Sequence, residues 1–350
     1  MIKTAVVGAV GGFALAILLV PIIRKLCARW KLYDWPGPLK VHTKPIPRLG
    51  GIAITLAILG GTVLSIRFSA AELPFFAALL LICLVGVVDD ISGLSAVIRL
   101  AAQFVAGGIL WYGGGRFVSF GGGVLGLVVT SLLTIAIINS FNFLDGADGL
   151  ASGVAGTIAI VYAAFPWRAG DQLGPAIAWS LAGSCAGFLF FNFPPAKIFL
   201  GDCGSTVVGL CVAFLICDLC RSPSATGPRL FFPLVVAALP LLDASLAIVR
   251  RIRARVSPLH GDRRHFCDLL GSRGSSPRVV AFKCYGITAL FGVIGLMGER
   301  FNPTGFLVLA DLGIGALFVA ALRLGALQQN AKTWQRKKAI AELDRSRETG

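Results

Sequence analysis

Charge is what this sequence has least of. Only 14% of the 350 residues are charged, while 56% are hydrophobic and the mean hydropathy is +0.82. A soluble domain carries roughly 25% charge. The length would suit two or three soluble domains at roughly 150 residues each, but there is too little polar surface to coat them. The composition excludes a disordered chain, a collagen-like chain, a coiled coil and a secreted disulfide scaffold, and leaves a polytopic membrane protein. Histidine is scarce too, at three copies, whereas the two methionines and four tyrosines decide little. Cysteine is not scarce, but most of the nine sit inside apolar runs, as Cys83, Cys185 and Cys211 do, and read as small core residues. Cys217 and Cys220 form a CxxC with no second pair or histidine cluster beside it.

Apolar runs long enough to cross roughly 30 Å of hydrocarbon as helices recur along the chain. Eleven are expected, near 4–23, 50–66, 73–88, 97–113, 122–139, 151–166, 174–191, 204–220, 229–249, 281–298 and 304–323. The expected architecture is an all-α polytopic bundle of about 10–11 transmembrane helices, with 1–323 as one catalytic domain and 324–350 as a basic tail. Gly183 and Gly187 offer a small-xxx-small face for close helix packing. The first run is followed by Arg24, Lys25, Arg29 and Lys31 and lacks a small-residue cleavage site, which suits a retained helix with its N-terminus outside.

With an odd number of spans, basic residues can be counted on each side. One side collects 25 of the 32, in 24–48, at Arg99 and Lys197, in 250–283 and from Arg323 onward; the other holds 7. The net charge of +15 is therefore topological and calls for no nucleic acid. The tail residues Lys332, Arg336, Lys337 and Lys338 suit anionic membrane lipids as partners.

Acids are expensive beside hydrocarbon, roughly 2.5 to 3.5 kcal/mol each at a span centre. Three clusters stand out: Asp89 with Asp90, Asp145 with Asp148 in a segment that also holds Asn139 and Asn142, and Asp202 in Phe199-Leu-Gly-Asp202-Cys-Gly-Ser205. Each follows an odd-numbered span, so the topology drawn from Lys and Arg alone gathers all three on the cytoplasmic side. Asp with Asn and no Cys/His set is hard-oxygen chemistry, pointing to Mg²⁺, with Mn²⁺ possible. Lys40, Lys44, Arg48, Arg99, Arg263, Arg264 and His265 supply phosphate-binding cations on the same side. Together these suggest phosphoryl transfer from a nucleotide substrate, with a lipid as the second substrate.

Plainer readings stand beside these. Asp89 and Asp90 could cap the next helix. The Asp145 to Asp148 spacing does not fit a calcium loop, because Gly156 stands where the twelfth-position Glu belongs. Gly121-x-Gly123-x-x-Gly126 follows no strand and reads as loop and helix packing. His42 and His260 could be incidental loop residues, and Asp311 has no evident partner in sequence.

Taken in order, the motifs resemble the polyprenyl-phosphate N-acetylhexosamine-1-phosphate transferase family. They are Asp34-Trp-Pro-Gly-Pro-Leu-Lys40-Val-His42-Thr-Lys44-Pro-Ile-Pro47-Arg48-Leu-Gly-Gly51, Val88-Asp89-Asp90, Asn139-x-x-Asn142-x-x-Asp145-Gly-x-Asp148-Gly-Leu150, Phe199-x-Gly-Asp202-x-Gly-Ser205, and Asp243 with Asp262-Arg263-Arg264-His265. The first motif is most similar to the branch that uses UDP-N-acetylglucosamine and undecaprenyl phosphate, and less like the branch taking UDP-N-acetylmuramoyl-pentapeptide. The resemblance implies an integral enzyme of the bacterial cytoplasmic membrane, with cytoplasmic catalytic loops, that moves a sugar-1-phosphate from a UDP-sugar onto the lipid phosphate and releases UMP. A homodimer is a possible assembly.

It also implies roles. Asn142 and Asp202 match the Mg²⁺ ligands, Asp89 with Asp90 match the essential acid pair, and Asp145 and Asp148 are expected as further catalytic acids that shape the metal or sugar pocket. Lys40, His42, Arg99, Arg263 and Arg264 match substrate contacts, Phe199 the aromatic that stacks on uracil, and His265 the catalytic-loop histidine. The chain departs from the family where Cys267 and Asp268 replace two histidines, Leu39 replaces an arginine, and Arg99 replaces a lysine. A transporter with an acid relay is the rival from another class; it needs acids in mid-span and a repeated half, and the sequence shows neither.

Overall fold

The computed structural model describes residues 2–36, 44–114, 123–167, 170–221, 227–257, 264–301 and 303–327. Among these the chain is almost wholly helical, since a backbone in hydrocarbon must satisfy its own hydrogen bonds. The helices are α1 Ile2–Trp30, α2 Gly50–Ser65, α3 Leu73–Ser92, α4 Ala96–Tyr112, α5 Val124–Leu144, α6 Leu150–Ala163, α7 Leu173–Asn192, α8 Gly201–Leu219, α9 Phe232–Val236, α10 Ala238–Arg253, α11 Phe266–Ser272, α12 Pro277–Arg300 and α13 Pro303–Arg323. A two-residue antiparallel pair, Tyr33–Asp34 with Ile46–Pro47, closes the loop after α1.

All eleven expected apolar runs are helices, but not all are long. Seven are long and apolar enough to cross a membrane, and α9 with α10, bent by 76°, would make an eighth. Helices α2, α4 and α6, at 16, 17 and 14 residues, are shorter than the roughly 20 residues a crossing needs. At 1.5 Å per residue, 14 residues reach only about 21 Å.

Helix α8 is the axis of the fold. Every residue from Cys203 to Leu219 is buried, with α2, α3, α5, α6 and α7 packed around it. A helix apolar on all sides belongs in such a position. Backbones approach closely where glycines allow it: a Cβ on Gly51 would strike the backbone of Gly204, and one on Gly86 the Cα of Cys203. The Gly183 and Gly187 face does pack helix on helix, against Ala9 and Phe13 of α1. Gly183→Leu should therefore cost about 3 kcal/mol or more, because backbone and not a side-chain tip must move. The check is the melting temperature of detergent-extracted protein, with Gly286→Leu, which meets nothing within 4 Å, as the unaffected control. Asp311 lies exposed on α13, and nothing in the structure explains it.

Candidate active site

Helices α3 and α5 end, and α4 and α8 begin, at the same end of the bundle, so residues up to 113 positions apart in sequence meet there. Asp89, in the last turn of α3, accepts hydrogen bonds from the Leu94 backbone N–H at 2.6 Å and from Arg99 Nη1 at 2.9 Å. Asp202, at the start of α8, accepts from Asn142 Nδ2, which also donates to Ser205 Oγ at 3.1 Å. Asp89 and Asp202 both line one cavity.

The second acid of the pair does something different. Asp90 Oδ1 accepts the Asp202 N–H and Oδ2 the Cys203 N–H, each at 3.0 Å. Asp90 thus caps a helix, as the plainer reading allowed, but it caps α8, 112 residues on, and not the next one; α4 is capped by Ser95. The first turn of α8 is held from the other side too. The Gly50 and Gly51 N–H groups, orphaned at the start of α2, donate to the Phe199 and Leu200 carbonyls at 3.0 and 2.8 Å. Gly201 has φ +76°, and a side chain there would run into Asp90 and the Arg48 carbonyl.

Asp145 and Asp148 lie in the turn after α5. Asp148 Oδ2 accepts the Ala196 N–H at 2.9 Å and so ties that turn to the segment before α8. Asn192, buried at the end of α7, ties the same two segments: its Oδ1 accepts the Gly149 N–H at 3.1 Å and its Nδ2 donates to the Ile198 carbonyl at 3.0 Å. Desolvation pushes the Asp145 carboxyl above the ordinary aspartate range, and the charges of Asp202, Asp90 and Asp148 push the same way.

The remaining wall comes from α10 and α11. Asp243 Oδ2 holds His265 Nδ1 at 2.8 Å, and its Oδ1 accepts the Phe266 N–H at 2.7 Å. A carboxylate only accepts, so Nδ1 carries the proton and the ring orientation is set. Phe143 packs against His265, with ring centroids 5.3 Å apart, and Arg251 places its guanidinium 4.7 Å from the same Phe143 ring.

Part of this set borders one cavity of about 600 Å³. Asp89, Arg99, Asn142, Asp202 and His265 all line it; Asp90, Asp145, Asp148, Phe199 and Arg264 lie outside it. Lys40, His42 and Arg263, along with the polybasic tail, fall outside the described residues. Sequence reasoning gave no role to Arg251, Gln103, Thr206 or Asp268, which also line the cavity. Three of these lie within or next to apolar helices and belong to no motif. Asp268 stands where the resemblance leads one to expect a histidine.

The donor set fits a hard divalent cation. Two carboxylates facing one cavity, as Asp89 and Asp202 do, repel unless a proton or cation intervenes, and the Asn142 carboxamide beside Asp202 adds a neutral oxygen. Among the described residues no cluster of three or more His, Cys, Asp or Glu is arranged to ligate a metal. A sparse set suits Mg²⁺, which keeps waters and shares substrate phosphates in preference to an all-protein cage.

Comparison with known proteins agrees with this chemistry. The family described as Glycosyl transferase family 4 matches residues 73–219, the stretch from α3 through α8. A decaprenyl-phosphate N-acetylglucosaminephosphotransferase of Mycobacterium tuberculosis is 34% identical over 341 aligned positions, covering 86% of this chain and 83% of that protein. The chain belongs to this family. A probable undecaprenyl-phosphate N-acetylglucosaminyl 1-phosphate transferase of Bacillus subtilis is 28% identical over 291 positions, covering 80% and 81%. A phospho-N-acetylmuramoyl-pentapeptide-transferase of Heliobacterium modesticaldum is 28% identical over 326 positions, covering 86% and 99%. As a member of glycosyl transferase family 4 the chain is a multi-pass membrane phosphotransferase, and the transporter reading falls.

Proposed function

We propose that this phosphotransferase moves N-acetylglucosamine-1-phosphate from its UDP-sugar to undecaprenyl phosphate, releasing UMP, with the cavity facing the cytoplasm. The observation that carries the reading is the cavity's mixed lining of charged and apolar side chains. The cavity is lined by Asp89, Arg99, Asn142, Asp202 and His265 and also by apolar residues of α4, α5 and α10 such as Leu100, Ile135 and Ile248. A phosphorylated headgroup on a long isoprenoid tail has this same mixture. The 34% identical M. tuberculosis relative is named for N-acetylglucosamine, which supports the choice of sugar.

Asn142 and Asp202 would hold Mg²⁺, which when bound neutralises the donor's diphosphate and the charge growing on the leaving UMP. Asp89 orients the acceptor phosphate, and takes its proton where one is present, so that a phosphate oxygen attacks the sugar-linked phosphorus directly. Arg99 keeps Asp89 aimed through the 2.9 Å ion pair, and His265, fixed by Asp243, faces the reacting phosphates. The enzyme in purified membranes, given undecaprenyl phosphate, Mg²⁺ and a panel of UDP-sugars including UDP-N-acetylmuramoyl-pentapeptide, should release UMP fastest with UDP-N-acetylglucosamine and stop when EDTA is added. Absence of UMP with every sugar, from folded protein, would reject the reading; preference for another sugar would reject the assignment of substrate.

A further inference from the structure

We infer that Gln103 is a substrate-binding residue whose side-chain amide donates a hydrogen bond to a phosphate oxygen of the acceptor lipid. The inference rests on the reading above and adds a residue that no motif marks. Gln103 is only 4% exposed and stands four residues beyond Arg99 on α4, so the two share a face of that helix and both line the cavity. Its Oε1 accepts from Asn139 Nδ2 of α5 at 2.6 Å, and the same nitrogen donates to the Ile135 carbonyl at 2.8 Å. A backbone carbonyl only accepts, so the Asn139 atom facing it is the nitrogen; that nitrogen only donates, so the Gln103 atom facing it is the oxygen. Gln103 Nε2 is left on the other side of the amide. There it has no hydrogen-bond partner among the described residues, and it is not sealed from open space.

The donors around it are spent. Helices α4 and α8 begin at the site and α5 and α10 end there, so depth can be read along each of them. Gln103 lies about 10 Å in from the start of α4, at 1.5 Å per residue. The other polar cavity residues set more than one helical turn inside their helices are Asn139, Ser140, Thr206 and Ser245. Ser140 donates to the Ala136 carbonyl at 2.7 Å, Thr206 to the Asp202 carbonyl at 2.6 Å and Ser245 to the Leu241 carbonyl at 2.7 Å. Both N–H bonds of Asn139 are committed as well. Among the described residues, Gln103 Nε2 is therefore the one uncommitted donor at this level of the cavity. An amide held from its far side is already aimed when a ligand oxygen arrives.

Which substrate reaches this level follows from its direction of approach. A sugar nucleotide is polar throughout and comes from water, at the helix ends where Arg99, Asn142 and His265 stand. The acceptor comes from hydrocarbon, and its phosphate is the polar end of an apolar tail. Deeper than Asn139 on α5 and than Ser245 on α10, the cavity borders Leu132, Ile135, Ala136, Leu241 and Ala244, all apolar. A phosphate drawn from that side meets the Gln103 amide before it meets a charge. A neutral donor suits this depth, because it places no ion among apolar neighbours. Arg99 meanwhile stays paired with Asp89 at 2.9 Å.

Steady-state UMP release should separate the two substrates. Gln103→Met, which keeps the length of the side chain without its amide, is expected to raise the KM for undecaprenyl phosphate about tenfold while moving the KM for the UDP-sugar less than about threefold. Gln103→Lys returns a donor but not the acceptor that Asn139 uses, and should bring the lipid KM back to within about threefold of wild type. A residue that merely held Asn139 in place would leave the lysine variant no better than the methionine one. That result overturns the inference, and so does an unchanged lipid KM in Gln103→Met or a rise confined to the UDP-sugar. Native mass spectrometry with undecaprenyl phosphate and undecaprenol gives a second readout that needs no turnover. Wild type should prefer the phosphate form, and Gln103→Met should narrow that preference. Should no sugar support turnover, the proposed reaction falls while the binding result still decides the role of Gln103, and a preference undiminished in Gln103→Met would refute it.

Discussion

Asp202→Ala is expected to lower kcat for UMP release by about 10³-fold or more, the largest effect of any single substitution at this site. Several contacts converge on this carboxylate. It receives the Asn142 carboxamide, faces Asp89, and stands on the first turn of the most deeply buried helix in the protein. Removing it leaves the Asn142 amide with only Ser205 and takes away the charge that balances a divalent cation. Stability should change little or rise, because one of two repelling acids is gone. The measurement is kcat with the Mg²⁺ dependence across a titration, alongside a melting curve. Activity within tenfold of wild type would remove Asp202 from the metal site.

Asp90→Asn should produce the second largest effect, and of a different kind. Both Asp90 oxygens accept backbone N–H groups at the start of α8. Asparagine offers one acceptor where aspartate offers two, so a buried N–H is left unpaired, a cost of about 1 to 3 kcal/mol. The first turn of α8 then loses its anchor, and Asp202 with it. A fall in kcat of about 10²-fold is expected, since small misplacements of a reacting group carry penalties of that size. It should come with a lower melting temperature and a higher Mg²⁺ requirement. A dead enzyme with unchanged melting and unchanged Mg²⁺ requirement would instead mean that Asp90 acts on substrate. Together the two substitutions separate the neighbouring acids of α3 and α8 into one group that touches the reacting phosphates and one that positions it.

Much of the site could be read before folding was known, because acids in an apolar chain are few and expensive. Asp89, Asn142 and Asp202 were legible for that reason, and their convergence follows from helices that end on a common side. Arg251 and Gln103 were not, since a lone polar residue in a helix shows no spacing signal that separates a cavity wall from a lipid-facing surface. Asn192 was equally silent: nothing in Phe-Phe-Asn-Phe-Pro-Pro says that its amide ties Gly149 to Ile198. The runs behind α2, α4 and α6 were counted as spans although, at 16 or 17 residues, they are shorter than the roughly 20 that a crossing needs.

The sequence by itself determined the solvent of this protein, the helical character of every long element, the chemistry of its acids and its family, because composition and motif order depend on no contact. Only the tertiary structure decided how the paired aspartates divide, Asp89 toward the cavity and Asp90 into the start of α8. Adjacent residues on a helix point about 100° apart, and which of them meets a cavity and which a backbone depends on the helix packed alongside.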